Sequence, residues 1–234
     1  VPAGGTAESD LKAALDDISN HPNVAPFIGK QLIQHLVTSN PSPAYVSRVS
    51  AVFNDDGAGV RGNMWAVVKA ILLDPEARDG DDGPALTPPD VSGHLREPVF
   101  AVASILRGLG AMVNDTNNLT GQATNLGQTV FAPPTVFNYF APGFSVPTDF
   151  TGGAALLGPE FQLQTPSAAV GRANMVNTFV YGGLGNGAVI DWTALTNLGA
   201  TPQALVGAVN NAFMYGEMPA NVQTIYSNRH NILE

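Results

Sequence analysis

Cysteine is absent from this chain of 234 residues. Disulfide bridges, zinc sites built from thiolates and a cysteine nucleophile are therefore excluded. The sequence also lacks any apolar run of about 18 residues, the length that marks a candidate membrane-spanning helix. We therefore expect no membrane span.

Charged side chains are scarce at 12% of residues, and ten Lys and Arg stand against nineteen Asp and Glu. The formal net charge is −9, and no cluster of basic residues occurs. Because nucleic-acid surfaces need concentrated positive charge, the chain is not expected to bind nucleic acid. The hydrophobic share of 44% is enough for a sizeable core.

Apolar residues recur at helical spacing in several segments, and Ser42 and Asn63 stand where they can cap two of them. The segments are separated by proline, glycine and asparagine, and strands do not alternate with helices. The sequence predicts a single, mainly α domain over residues 1–234. We expect an irregular helical domain with long, ordered loops rich in Pro, Gly and Asn, and little or no β-structure. Helices are predicted over residues 8–19, 24–38, 43–53, 64–73, from 95 onward, 167–181 and 202–215, with a short strand at 188–192.

An aromatic segment, residues 126–163, interrupts the helical pattern. Proline fixes φ and lacks an amide hydrogen, so the segment is neither the interior of a helix nor a central strand. It either plugs a core between helices, or forms the wall of a groove or an active-site loop. Four of its prolines lie at 133, 134, 142 and 147, among aromatic residues at 131, 137, 139, 140 and 144.

Glu160 lies between a proline and a phenylalanine, so its carboxyl group is expected among apolar groups. A carboxyl group in such surroundings can act as a general acid. For a hydrolase, Asp149 or Asp191 would supply the second carboxylate. The alternative for Glu160 is an ion pair with Arg96 that fixes the loop.

Three further residues are candidates for catalysis. Arg96 and Glu97 stand at the predicted start of the fifth helix, where a carboxylate complements the helix dipole. His21 is a candidate base or metal ligand. Its structural alternative is a local hydrogen bond to the chain, with Asn23 as the cap of the next helix.

Oxygen ligands spaced for a hard cation occur in an acidic loop, where Asp79, Asp81 and Asp82 form a candidate calcium site. Residues 54–56 are a weaker candidate of the same kind. Both lack the full EF-hand pattern, and the alternative for both is an acidic loop in solvent. No Gly-x-Ser-x-Gly motif occurs, and the glycine run at 182–187 lacks dinucleotide-binding spacing.

Six short runs form a distinctive set in the chain. They are His-Pro-Asn-Val-Ala-Pro-Phe at 21–27, Thr-Ser-Asn-Pro-Ser-Pro at 38–43, Leu-Leu-Asp-Pro-Glu-Ala-Arg at 72–78, Leu-Arg-Glu-Pro at 95–98, Pro-Pro-Thr-Val-Phe-Asn-Tyr-Phe at 133–140 and Pro-Glu-Phe-Gln at 159–162. Together and in this order they resemble the bacterial family called domain of unknown function 1800.

The resemblance implies an exported bacterial protein, secreted or periplasmic, often encoded beside another exported protein of sulfatase-like type. It implies no established reaction. The likeness is to the C-terminal part of longer family members, so we expect a fragment that lacks their N-terminal half and C-terminal end. No signal peptide is recognisable in these residues. The expected partner is another exported protein or the missing N-terminal half.

Two functions stay open at the level of sequence. The first is a scaffold or binding role through the aromatic segment, which requires exposed rings between residues 131 and 144. The second is hydrolysis of a saccharide, ester or lactone by Glu160 with a second carboxylate or a bound calcium ion. Calcium is the one cofactor that the sequence suggests.

Overall fold

The computed structural model describes residues 4–78, 93–114, 117–136, 138–147, 151–153, 155–182, 187–199 and 201–228. Helices dominate these ranges, and their paired strands form one two-stranded sheet. The prediction of a mainly α fold with little β-structure is therefore confirmed. The chain divides into unit one, residues 1–94 and 142–159, and unit two, residues 95–141 and 160–234. The single domain expected over residues 1–234 stays a prediction.

Ten helices and two short strands are seen in the described ranges. In chain order, the helices are α1 (Ala7–Asn20), α2 (Val24–Leu36), α3 (Pro43–Asn54), α4 (Met64–Leu73), α5 (Pro98–Gly108), α6 (Asn117–Asn125), α7 (Pro166–Asn177), α8 (Thr193–Thr196), α9 (Pro202–Met214) and α10 (Ala220–Asn228). The strands are β1 (Met112–Val113) and β2 (Ala188–Val189). A 3₁₀ turn covers Pro159–Leu163, and a π turn, Thr178–Gly182, continues α7. Within the same ranges, no helix is both long and apolar enough to cross a membrane.

Unit one is built on α2, α3 and α4, whose inner faces form one core. Two predicted caps are confirmed, since the Ser42 side chain accepts from the Tyr45 amide and the Asn63 side chain accepts from the Ala66 amide. Each cap satisfies an amide that the helix cannot pair internally. The buried core residues are Ala25, Ile33, Tyr45, Val49, Phe53, Val67 and Ile71.

Polar contacts join α3 to α4 and to Asp74, the residue that follows α4. The Tyr45 hydroxyl donates to the Ile71 carbonyl at 2.6 Å, and burial raises the pKa of Tyr45 to about 12. Arg48 donates to both carboxylate oxygens of Asp74, at 2.7 and 2.6 Å. This pair lowers the pKa of Asp74, whose side chain is 4% exposed. A two-pronged arginine–carboxylate pair fixes orientation as well as charge.

Helix α1 is formed as predicted, but its apolar stripe does not enter a core. Leu11, Leu15 and Ile18 are 60%, 56% and 63% exposed. The helix is held locally by a capping box in which the Thr6 and Ser9 side chains each accept from the other's backbone amide. Amphipathic spacing therefore predicted the helix without predicting its burial.

Unit two has its own core. Val102 and Leu106 of α5 pack with Leu126, Met175, Phe179 of the π turn and Ala188. The two strands pair antiparallel, with Met112 opposite Val189. The strand predicted at 188–192 is therefore present in a shorter form.

Unit two also contains the main corrections to the predicted helices. No helix was predicted between the one that starts near residue 95 and the one at 167–181, yet α6 forms there because Ala123 on the helix, and Leu126 just after it, are buried. Helix α5 begins at Pro98 rather than near Leu95, since proline favours the first helical position. The short helix α8 and the helix α10 were not predicted.

Candidate functional site

The part of the aromatic segment that lies in unit two is a loop fixed by side chains. We call residues 128–141 the clamped loop; residue 137 lies outside the described residues. Two glutamines and one tyrosine hold it. Ordered loops of this kind frequently carry function because a rigid scaffold positions their side chains.

Gln128 holds the start of the clamped loop against the N-terminus of α5. Its Oε1 accepts from the Val99 amide at 2.9 Å, and its Nε2 donates to the Glu97 carboxylate. Gln128 and Glu97 are 3% and 6% exposed. The amide at Val99 is one of those that a helix start leaves unpaired, so Gln128 acts as its cap.

Tyr139 and Gln162 hold the rest of the loop. The Tyr139 hydroxyl donates to the Thr129 carbonyl and accepts from the Ala132 amide at 3.1 Å. The Ala141 amide donates to Oε1 of Gln162 at 2.8 Å. The Tyr139 side chain thus joins the later part of the clamped loop to residues 129 and 132 near its start. These bonds restrain the loop without regular secondary structure.

The side chains of the loop divide sharply between core and solvent. Phe140 is 4% exposed, which supports the interpretation of this ring as a structural plug. Phe131 and Val136 are 98% and 95% exposed. Phe131 also has a φ of 60°, a left-handed conformation that is uncommon for a bulky residue. One ring of the aromatic segment is therefore buried and another is exposed, and its role as a groove wall or an active-site loop stays a prediction. Phe137 lies outside the described residues.

The two predicted catalytic glutamates are both buried. Glu160 is 1% exposed on the 3₁₀ turn, whereas its neighbour Phe161 is 41% exposed. Glu97 occupies the N-cap position of α5, where its carboxylate bonds Gln128 instead of capping the helix. Glu97 therefore lies at a helix start, as expected. Its carboxylate accepts the hydrogen bond from Gln128 that holds the start of the clamped loop.

Arg96 has an exposed side chain, and its carbonyl accepts from Nη2 of Arg172 at 2.9 Å. Burial lowers the pKa of Arg172. The expected ion pair between Arg96 and Glu160 stays a prediction. Arg172, to which the sequence pattern assigned no role, carries the more desolvated guanidinium of the two.

His21 is exposed, and its Nδ1 accepts from the Asn23 amide at 3.2 Å. This is the local hydrogen bond that the structural interpretation of His21 predicts. Asn23 occupies the N-cap position of α2, but its side chain makes no capping bond. The catalytic role of His21 stays a prediction.

The calcium candidates Asp79, Asp81 and Asp82 lie outside the described residues, as does Asp149. In the weaker candidate, Asp55 accepts from the Gly57 and Gly59 amides, and Asp56 accepts from the Ala58 and Val60 amides. These carboxylates organise the turn after α3. In the described part of the chain, no group of three metal-ligating His, Asp or Glu residues converges.

Asp191 is exposed and accepts from the Thr193 amide at 2.9 Å. Hydrogen bonds from the Thr193 hydroxyl and amide lower the pKa of Asp191. This pattern is that of a residue that organises the start of α8. Its expected role as a second catalytic carboxylate stays a prediction.

The sequence pattern did not reveal the roles of Gln128 and Gln162. Gln162 belongs to the Pro-Glu-Phe-Gln run that carried the family resemblance, and Gln128 opens the stretch that leads to Pro133. A polar residue that stands among prolines and aromatic rings is a signal for a buried hydrogen bond, because an unpaired polar group there would be costly. That signal indicates the bond without identifying its partner.

These features define a mainly α-helical protein with a side-chain-clamped aromatic loop. The family model described as a protein of unknown function, DUF1800, matches residues 1–231. The chain therefore belongs to the DUF1800 family, and the resemblance seen in the sequence is confirmed. No curated protein and no solved structure matches the chain.

Proposed function

We propose that the chain is a binding domain of an exported protein, and that its clamped loop docks onto a partner protein. The observation that carries this proposal is the 98% exposure of Phe131 on a loop restrained by side chains. Phe131 and Val136 are the anchors, since exposed apolar side chains become the dominant contacts when a partner covers them.

Two further observations support the proposal. A restrained anchor loses little conformational entropy when it binds, so more of its contact energy appears as affinity. The left-handed backbone of Phe131 is strained, and strain of this kind is concentrated at functional sites. The proposed partner is the sulfatase-like exported protein whose gene the family resemblance places nearby.

Replacing Phe131 by serine is expected to weaken binding to that sulfatase-like protein by at least about 30-fold, the effect of losing an interface hot spot. Isothermal titration of the purified pair measures the affinity. Thermal stability should be unchanged, because Phe131 is 98% exposed.

Tyr215→Ser is the matched control, since Tyr215 is also aromatic, 84% exposed and left-handed, with a φ of 53°. The control should bind as the unaltered chain does. Equal affinities for the Phe131 and Tyr215 variants would refute the role of the loop. Absence of binding by the unaltered chain would reject this partner.

A second proposal is that the chain is a hydrolase with Glu160 as general acid. It has less support than the first, because Glu160 is only 1% exposed and a substrate would have to reach it. Its support is that same burial, which places a carboxyl group in apolar surroundings. Arg96, Glu97 and His21 are the further catalytic candidates in this hypothesis. Asp79, Asp81 and Asp82 are its candidate calcium ligands.

Under this second proposal, Glu160→Gln abolishes hydrolysis without lowering the melting temperature. The measurement is a screen of saccharides, esters and lactones with the purified chain, in calcium and in chelator. A silent panel argues against catalysis, and equal rates for Glu160→Gln and the unaltered chain argue against Glu160 as the general acid. Activity that disappears only in chelator assigns the calcium ion a role.

A further inference from the structure

Unit two contains an apolar pocket that the proposed function does not use. It has a volume of about 720 Å³ and is lined by α5, α7, the π turn, α8, the turn after α8, and α9. Small-molecule sites usually have volumes of about 300–1,000 Å³. The pocket contains no residue of the clamped loop, so it is an independent site.

The lining of the pocket is hydrocarbon and aromatic almost throughout. Val180, Leu205 and Phe213 are among its side chains, and none of the described residues that line it is charged. Apart from the indole of Trp192, the lining has one polar side-chain group, the Thr196 hydroxyl, which already bonds carbonyls of its own short helix and its cap at 3.1 and 3.0 Å. A ligand in this pocket therefore gains apolar contacts and no ionic partner.

Two features of the backbone shape the pocket wall. The π turn places Val180 in the wall while its neighbour Phe179 is buried at 1% exposure in the core. Single π turns within helices occur frequently at functional sites. A Cβ at Gly108 would lie 2.5 Å from the ring of Phe213, another lining residue, so the missing side chain lets that ring lie against α5.

We propose that this pocket binds the hydrocarbon chain of a lipid. The volume is that of a small-molecule site, and the lining accepts methylene groups but offers nothing to a charged headgroup. The headgroup therefore stays outside, in solvent. Affinity should depend on chain length and be nearly the same for an acid and an alcohol of equal length.

Trp192 lines the pocket and provides the readout. The chain has two tryptophans, and the other, Trp65, is 72% exposed on α4. In a Trp65→Phe background, Trp192 is the only fluorophore of its kind. Titration with the fluorescent fatty acid cis-parinaric acid should give saturable energy transfer from Trp192, and both palmitate and 1-hexadecanol should reverse it.

Val176→Phe fills the pocket and should weaken cis-parinaric acid binding at least 10-fold. Val170→Phe is the matched control, because Val170 lies on the same helix, is 61% exposed and does not line the pocket. If Val176→Phe does not fold by circular dichroism, Val180→Phe replaces it. The control should bind as the parent does.

Four results would overturn the proposal. The first is absence of saturable energy transfer, and the second is equal affinity of the pocket variant and its control. The third is a concentration-dependent dimer, seen by sedimentation, that dissociates in the Val176→Phe variant but not when lipid is added. A second copy of the chain would then occupy the pocket. The fourth is displacement by palmitate but not by 1-hexadecanol, which would contradict the uncharged binding mode.

Discussion

Gln128→Leu is expected to lower the free energy of unfolding by about 3–5 kcal/mol. The substitution removes the hydrogen bond to the buried Glu97 carboxylate and leaves the Val99 amide at the start of α5 unpaired. Gln128 accepts from the Val99 amide and donates to the Glu97 carboxylate, with both glutamine and glutamate almost fully buried. Leucine has nearly the same volume and makes neither bond. Urea titration followed by circular dichroism measures the change.

Gln203→Leu is the control for this prediction. Gln203 is exposed on α9, so the substitution makes the same chemical change at a position in solvent. Its expected effect is below about 0.5 kcal/mol. Equal effects of the two substitutions would show that Gln128 does not clamp the loop. If Gln128 does clamp the loop, hydrogen exchange at the Ala132 amide should also be faster in Gln128→Leu, because loosening the start of the loop weakens the contacts that follow.

Asp74→Asn is expected to lower the free energy of unfolding by about 2–3 kcal/mol. This is less than the loss expected on breaking a fully buried ion pair, because Arg48 is 47% exposed. The Asp74 carboxylate accepts two bonds from Arg48 and one from the Glu76 amide. Asparagine keeps the shape but removes the charge and replaces one acceptor oxygen by an NH2 donor, so the ionic attraction and at least one hydrogen bond are lost together. Denaturant unfolding measures the loss.

The same pair predicts an acid dependence. The folded-state pKa of Asp74 lies below its ordinary value of 3.8, chiefly because of the bonds from Arg48. The stability it contributes is complete above that ordinary pKa and is lost as pH falls through the lower, folded-state value. Asp74→Asn should therefore flatten the acid limb of the stability curve.

Asp16→Asn provides the comparison for Asp74→Asn. Asp16 pairs with Lys12 on the surface of α1, with side-chain exposures of 56% and 75%. An exposed pair of this kind contributes less than about 0.5 kcal/mol. A cost for Asp74→Asn no larger than that of Asp16→Asn, at neutral pH, would contradict the structural role assigned to Arg48 and Asp74.

The parts of the fold that local chemistry determines were predictable from sequence. Ser42 and Asn63 mark helix starts because their side chains bond amides three residues later. The polar helix α6 was not predictable in this way, because it is stabilised by burying Ala123 and by packing around Leu126, which only the tertiary fold provides. Propensity is a weak guide wherever packing decides.

The candidate sites show the same division. The sequence indicated that the segment around residues 131–144 is ordered, aromatic and not helical. It did not indicate which ring is buried and which is exposed, because Phe131 and Phe140 have the same chemistry and differ only in position. Glu97 and its partner Gln128 are 31 residues apart, so no local pattern joins them. The apolar pocket arises where α5, α7, α8 and α9 meet, and such convergence is invisible in one-dimensional spacing.

The role of Phe131 as the anchor of a partner interface is tested most directly by site-specific photo-cross-linking. The photoreactive amino acid p-benzoylphenylalanine is placed at residue 131, or at residue 215 as the control, and the purified sulfatase-like protein is added before illumination. We expect an adduct from position 131 that maps to one surface of the partner, and none from position 215. Equal yields from the two positions, or an adduct from position 215 alone, would contradict the anchor role of Phe131.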